Sequence, residues 1–158
     1  MRYGRILLFA MLGISAAHAQ TPRTPITLTA QTVSYQQAKG VVEFLGNVVV
    51  VQGDVTLATP QLVATFGSGR QQALQSLTAT GTAAAPVRFT RGEETATGRT
   101  ATYAPDARQL VLTGNVTLTR QGNTLVGEKL VYDLATGTAT VTGDGAPVRA
   151  TLTGEGTP

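Results

Sequence analysis

Few side chains in this sequence are equipped for covalent or acid–base chemistry. Its one histidine is His18, and none of the 158 residues is cysteine. Because His18 falls in a leader-like stretch, the rest of the chain has no means of building a Ser-His-Asp triad, a thiolate nucleophile or a nitrogen- or sulfur-ligated metal site. Carboxylates remain. Glu93 and Glu94 are adjacent on a polar turn, where neighbouring side chains diverge instead of converging on one substrate atom. Asp133 and Asp144 stand in turn segments, where an aspartate ordinarily accepts hydrogen bonds from nearby backbone. The expectation is no catalytic residue, no metal and no cofactor.

The chemistry left is apolar contact, and its residues recur at fixed spacing. Tyr35 maps onto Tyr103 by a shift of 68 positions, and the same shift carries Gly46-Asn47-Val48 onto Gly114-Asn115-Val116, Leu57 onto Leu125 and Leu62 onto Leu130. A shift of 97 places Tyr132, Gly137 and Gly143 under Tyr35, Gly40 and Gly46. A fixed period with turn residues at fixed offsets marks stacked supersecondary units that share one core.

Each unit reads as β-structure. Val41 to Val51 is mostly β-branched or aromatic, which suits a pleated, half-buried surface. Leu110 to Thr119 alternates aliphatic residues with threonine. Gly-Asn interrupts both runs, where a tight turn or bulge needs positive φ. Gln52-Gly53-Asp54 and Gln121-Gly122-Asn123 supply the next turns. The piece from Gly81 to Arg88 is echoed from Gly143 to Arg149. No useful 3.6-residue apolar stripe occurs, so little or no helix is expected beyond the leader.

Residues 1–19 form that leader. Arg2 and Arg5 start it, Ile6 to Ala17 is apolar, and Ala17-His18-Ala19 is a small-x-small cleavage site. An apolar run of this length is too short for a bilayer, which takes about 20 residues. The chain is therefore expected to be exported. The 12 basic and 9 acidic residues of the whole become 10 and 9 once Arg2 and Arg5 leave. That balance, with no basic block and no basic–aromatic interleaving, argues against nucleic acid. Residues 20–153 suit one domain, and 154–158 are expected to form a disordered tail.

An alternating meander must cover its apolar face with a second sheet or offer it as a groove. The groove candidates are Ile26, Leu28, Val42, Phe44, Val48 and Val50, with repeat partners Leu110, Leu112, Val116 and Leu118. Phe89, Tyr35, Tyr103 and Tyr132 complete the set. A stack that does not close also leaves unpaired edges, expected near Ile26 to Thr29 and near Val148 to Leu152. Unlike edges meeting head to tail yield a linear homo-oligomer instead of a closed dimer.

Phe44-Leu45-Gly46-Asn47-Val48-Val49-Val50-Val51-Gln52-Gly53 and Leu112-Thr113-Gly114-Asn115-Val116-Thr117-Leu118-Thr119-Arg120-Gln121-Gly122, with Leu125 to Tyr132 following, resemble the OstA-like domain of the LptA family. The resemblance extends from Pro25 to about Leu152. It implies an all-β fold, an open, twisted antiparallel β-jellyroll built from repeated meander units around an apolar groove. It further implies a periplasmic bridge that carries lipopolysaccharide or another acylated lipid between the inner and outer membranes. The implied neighbours are an LptC-like inner-membrane protein and an LptD-like outer-membrane barrel. The residues themselves leave another reading open: an exported structural β-module that self-assembles through strand edges and binds no lipid.

Overall fold

The computed structural model describes residues 24–68 and 72–154. The expected leader, residues 69–71 of the loop after Phe66, and residues 155–158 of the expected tail lie outside them. Twelve antiparallel strands make one continuous sheet: β1 (Thr27–Thr29), β2 (Thr32–Gln36), β3 (Val41–Gln52), β4 (Val55–Phe66), β5 (Leu74–Thr80), β6 (Val87–Arg91), β7 (Glu94–Gly98), β8 (Thr100–Ala104), β9 (Gln109–Arg120), β10 (Asn123–Asp133), β11 (Thr138–Thr142) and β12 (Arg149–Thr151). The expected twisted antiparallel jellyroll is borne out. Its one helical element among the described residues is a single 3-10 turn, Gln37–Lys39.

Four long strands fold this sheet into two layers. The first half of β3 pairs with β2 and with the second half of β4, while its second half pairs with β1 and the first half of β4. β9 and β10 behave alike, pairing with β8 and β11 at one end and with β7 and β12 at the other. One layer therefore runs β2-β3-β4-β5-β8-β9-β10-β11, and the other runs β1-β3-β4-β6-β7-β9-β10-β12.

The seam between the layers lies at the Gly-Asn pairs. Register slips between Leu45 and Val48 against Gln61 and Thr59, so Gly46 and Asn47 together face Pro60. Gly114 and Asn115 likewise face Glu128. Two residues against one is a β-bulge, which bends its strand and increases local twist. Gly46 and Gly114 hold φ of +79° and +84°, and the asparagines after them are also positive, at +46° and +47°. Only glycine, and less readily asparagine, adopts this region without strain. Pro60 has no N–H to give a ladder, and its place opposite a bulge is one of the few a strand allows.

The repeat extends to hydrogen bonds. Gln31 N–H donates to the carbonyls of Leu45 (3.1 Å) and Gly46 (3.0 Å), and Arg99, 68 positions on, donates to those of Thr113 (2.9 Å) and Gly114 (3.1 Å). Strands β7–β12 thus repeat β1–β6. Alternation along these strands turns aliphatic side chains inward. The core contains Val48, Leu57, Leu62, Leu77, Val87, Phe89, Leu110, Leu112, Val116 and Leu130.

Candidate functional site

The space between the layers is the candidate site. Its inner part is a slot lined by Ile26, Val50, Leu57, Leu77, Phe89, Tyr103, Leu110 and Leu134, among others, and holds about 30 Å3. That is room for a water molecule or two. Outward, where the hairpin corners of the two layers face each other, a cavity of about 690 Å3 opens. Ile26, Val55, Leu74 and Tyr103 continue its apolar wall, and Asp106, Arg91 and Arg108 stand at its rim.

Further along, side chains clasp the mouth. Phe89 of one layer packs on Tyr132 of the other, with ring centroids 5.0 Å apart and planes tilted by 55°. The Tyr132 hydroxyl donates to Glu94, whose other carboxylate oxygen pairs with Arg120 at 3.1 Å. Arg91 lies over the Tyr132 ring at 5.9 Å, donates to the Leu134 carbonyl at 3.3 Å and pairs with Asp54 at 3.2 Å. Burial first, and then Glu94, pushes the Tyr132 phenol above its ordinary pKa. Burial also raises that of Tyr103, against the opposing charge of Arg108. For Arg91, burial lowers the pKa, but Asp54 and Tyr132 outweigh it and the net shift is upward. These groups hold the layers together by charge-assisted bonds; their geometry offers no substrate-facing acid and base.

The groove candidates fall into three groups. Val48, Val50, Phe89, Leu110, Leu112, Val116, Leu118 and Tyr132 are buried between the layers. Ile26, Leu28, Val42, Phe44 and Tyr103 are half-buried against that core. Within the first two groups, the slot itself is lined by Ile26, Val50, Phe89, Tyr103 and Leu110. Tyr35 departs from the expectation. It is 55% exposed, because among the described residues β2 is an edge strand paired only with β3. Its repeat equivalent Tyr103 is covered on β8, which pairs with both β5 and β9.

The carboxylates follow expectation in part. Asp133 Oδ1 accepts from the backbone N–H groups of Ala135 (2.8 Å) and Thr136 (3.1 Å), an Asx turn. Glu93 and Glu94 diverge, Glu93 accepting from Gln121 at 2.9 Å. Sequence reasoning missed the wall residues Leu57, Leu77 and Leu134, and it missed the clasp. Leu57 had a signal, its repeat at Leu125. The clasp had none, since Arg91 finds Asp54 and Leu134 at separations of 37 and 43 residues.

Comparison with known proteins decides the family. Residues 27–138, more than half of the chain, match the family described as LptA/(LptD N-terminal domain) LPS transport protein. The chain belongs to this family. It is a family of transport proteins and not of enzymes, in line with the dearth of reactive side chains. Among solved structures, the fold is similar to that of LptH from Pseudomonas aeruginosa, the LptA-homologous periplasmic component of its lipopolysaccharide transport device. The TM-score is 0.70 at 22% identity, over 83% of this chain and 96% of that one. No match was found among curated protein sequences.

Proposed function

We propose that this family member works in the periplasm as a lipid-carrying link, holding the acyl chains of lipopolysaccharide or a similar amphiphile between its two layers. The observation that carries the reading is an apolar interior that opens into a cavity of about 690 Å3 rimmed by charged residues. Removing a methylene from water is worth about 0.8 kcal/mol. An acyl chain of ordinary length therefore gains on the order of 10 kcal/mol gross. Ordering costs and the competing micelle or bilayer reduce this strongly. Weak net preference is what a carrier needs, since cargo must leave as readily as it enters.

The partners on this reading are further copies joined head to tail, an LptC-like protein at the inner membrane and an LptD-like barrel at the outer membrane. Inside the molecule, β5 pairs with β8 through Thr78–Thr102, and β6 pairs with β7 through Phe89–Ala96. Within the described chain, β11 and β12, which repeat β5 and β6, each pair only with β10; β1 and β2, which repeat β7 and β8, each pair only with β3. Setting β11 and β12 of one copy against β2 and β1 of the next repeats the internal seam, with Thr140 beside Ser34 and Ala150 beside Leu28 of the following copy. Strand addition of this kind suits a like-folded partner domain equally.

Two experiments test the proposal. A photo-crosslinker at Tyr103 should capture lipopolysaccharide in cells, while one at the outward Thr117 should not; equal labelling removes the groove. Ser34→Cys with Thr140→Cys should give a ladder of disulfide-linked oligomers, because cross-strand neighbours lie within disulfide reach. The chain has no native cysteine to confuse the result. A ladder without lipid capture would favour the purely structural module instead.

A further inference from the structure

Phe89 packs against Tyr132 across the interior. Phe89 stands on β6 opposite Leu57, and the repeat puts Ala150 at that place on β12, opposite Leu125. Tyr132 stands on β10 opposite Ala139, and the repeat puts Ala64 at that place on β4, opposite Leu77. The two rings meet because β6 of the first half lies over β10 of the second. Among the described residues Ala150 and Ala64 have no such meeting, since β12 is the last described strand of the second half and β4 belongs to the first. Continuing the strand series from β12 into β1 of another copy carries Ala150 over Ala64 of that following copy. Two methyl groups then stand where the interior of each molecule has two aromatic rings.

We propose that the acyl chain lodges at the junction between copies, in a chamber that two molecules complete together. Ala150 of one copy, exposed in the single chain, faces this chamber above Ala64 of the next, which is 2% exposed at the floor between its strand neighbours, and the Phe89–Tyr132 pair closes the same place inside each copy. This rests on the head-to-tail reading above. The available space agrees with it. Within one molecule the slot bounded by Phe89 holds only about 30 Å3. The edge residues beside the chamber are apolar and bare in the single chain: Val33 and Tyr35 at one end, Val148 and Leu152 at the other.

The test builds the constriction where it is absent. Ala150→Phe gives β12 the side chain that β6 carries, at an exposed position that leaves the single chain folded. It is made in the Ser34→Cys/Thr140→Cys protein, so that linkage does not depend on the altered strand. Linked oligomers are incubated with detergent-solubilised lipopolysaccharide, and retained lipid is measured after gel filtration. The Ala150→Phe oligomers should retain several-fold less than the parent. Thr117→Phe, outside the groove, should change nothing. Linked Ala150→Phe oligomers that hold as much lipid as the parent would overturn the shared chamber while leaving the head-to-tail chain standing. A protein that stays monomeric in sedimentation at every concentration and forms no disulfide ladder overturns both.

Discussion

The two halves of the molecule have the same strands in the same order and differ in what covers them. Val33 on β2 and Ala101 on β8 occupy one repeat position, yet Val33 is 57% exposed and Ala101 is 2% exposed. Both strands have a following hairpin partner, β3 for one and β9 for the other. Only β8 also has β5 on its other side. Burial here is a property of position in the series, not of the repeated sequence. The second half begins inside the molecule and the first half begins at its edge.

That comparison is tested most severely by core truncation at equivalent sites. Leu112 is fully buried, and its equivalent Phe44 is half-buried in the first half. Leu112→Ala should cost about 2–5 kcal/mol, as for other core leucines. Phe44→Ala removes more atoms but should cost less, because solvent and edge mobility relieve the void. Chemical denaturation of both variants decides it, and the reverse ranking would mean that edge position does not control burial.

The bulge glycines should separate in the same direction. A Cβ on Gly114 would come within 2.9 Å of Arg99 Cβ, and Arg99 is held by backbone hydrogen bonds to Thr113, Gly114 and Gly81. On Gly46 the Cβ would meet Gln31 Cβ at 3.0 Å, slightly farther off, and its side-chain amide at 2.3 Å, a flexible end that can swing away. With positive φ at both, Gly114→Val should lose about 1–3 kcal/mol. Gly46→Val should lose less. Equal losses of melting temperature would show that backbone strain alone sets the cost.

A smaller effect concerns the clasp, which only the inner junction has. Tyr132 favours its neutral form in the fold, so its contribution is fully present below the phenol's ordinary pKa of 10.0 and is lost as pH rises past it. The protein should lose stability as pH rises above that value, since the unfolded chain ionises first. Tyr132→Phe should cost about 1 kcal/mol at neutral pH, one lost hydrogen bond. It should also flatten the alkaline loss, leaving the share due to Tyr103. An unchanged alkaline slope would remove Tyr132 from the clasp. The smallest effect belongs to the free edge. Tyr35→Ala should change monomer stability by no more than about 0.5 kcal/mol, as an exposed substitution does. It should shorten oligomers measurably by light scattering.

Much of this was legible in the chain. Aliphatic–threonine alternation in Leu110 to Thr119 specifies a strand with one inward face, since successive side chains point opposite ways. Gly46-Asn47 and Gly114-Asn115 specify the bends, because few other residues accept positive φ there. The period of 68 residues specifies the duplication, and the free ends near β1 and β12 follow from an unclosed series. These features are local, written in residues next to one another. What covers each strand is not local. That Tyr35 stays bare while Tyr103 is roofed by β5 depends on the order in which strands meet, which no repeat unit contains. The clasp of Arg91, Asp54, Glu94 and Tyr132 is assembled from both halves, and Phe89 finds Tyr132 only because the layers face each other. Tertiary structure decided those contacts, since their partners are brought together by folding and not by spacing along the chain.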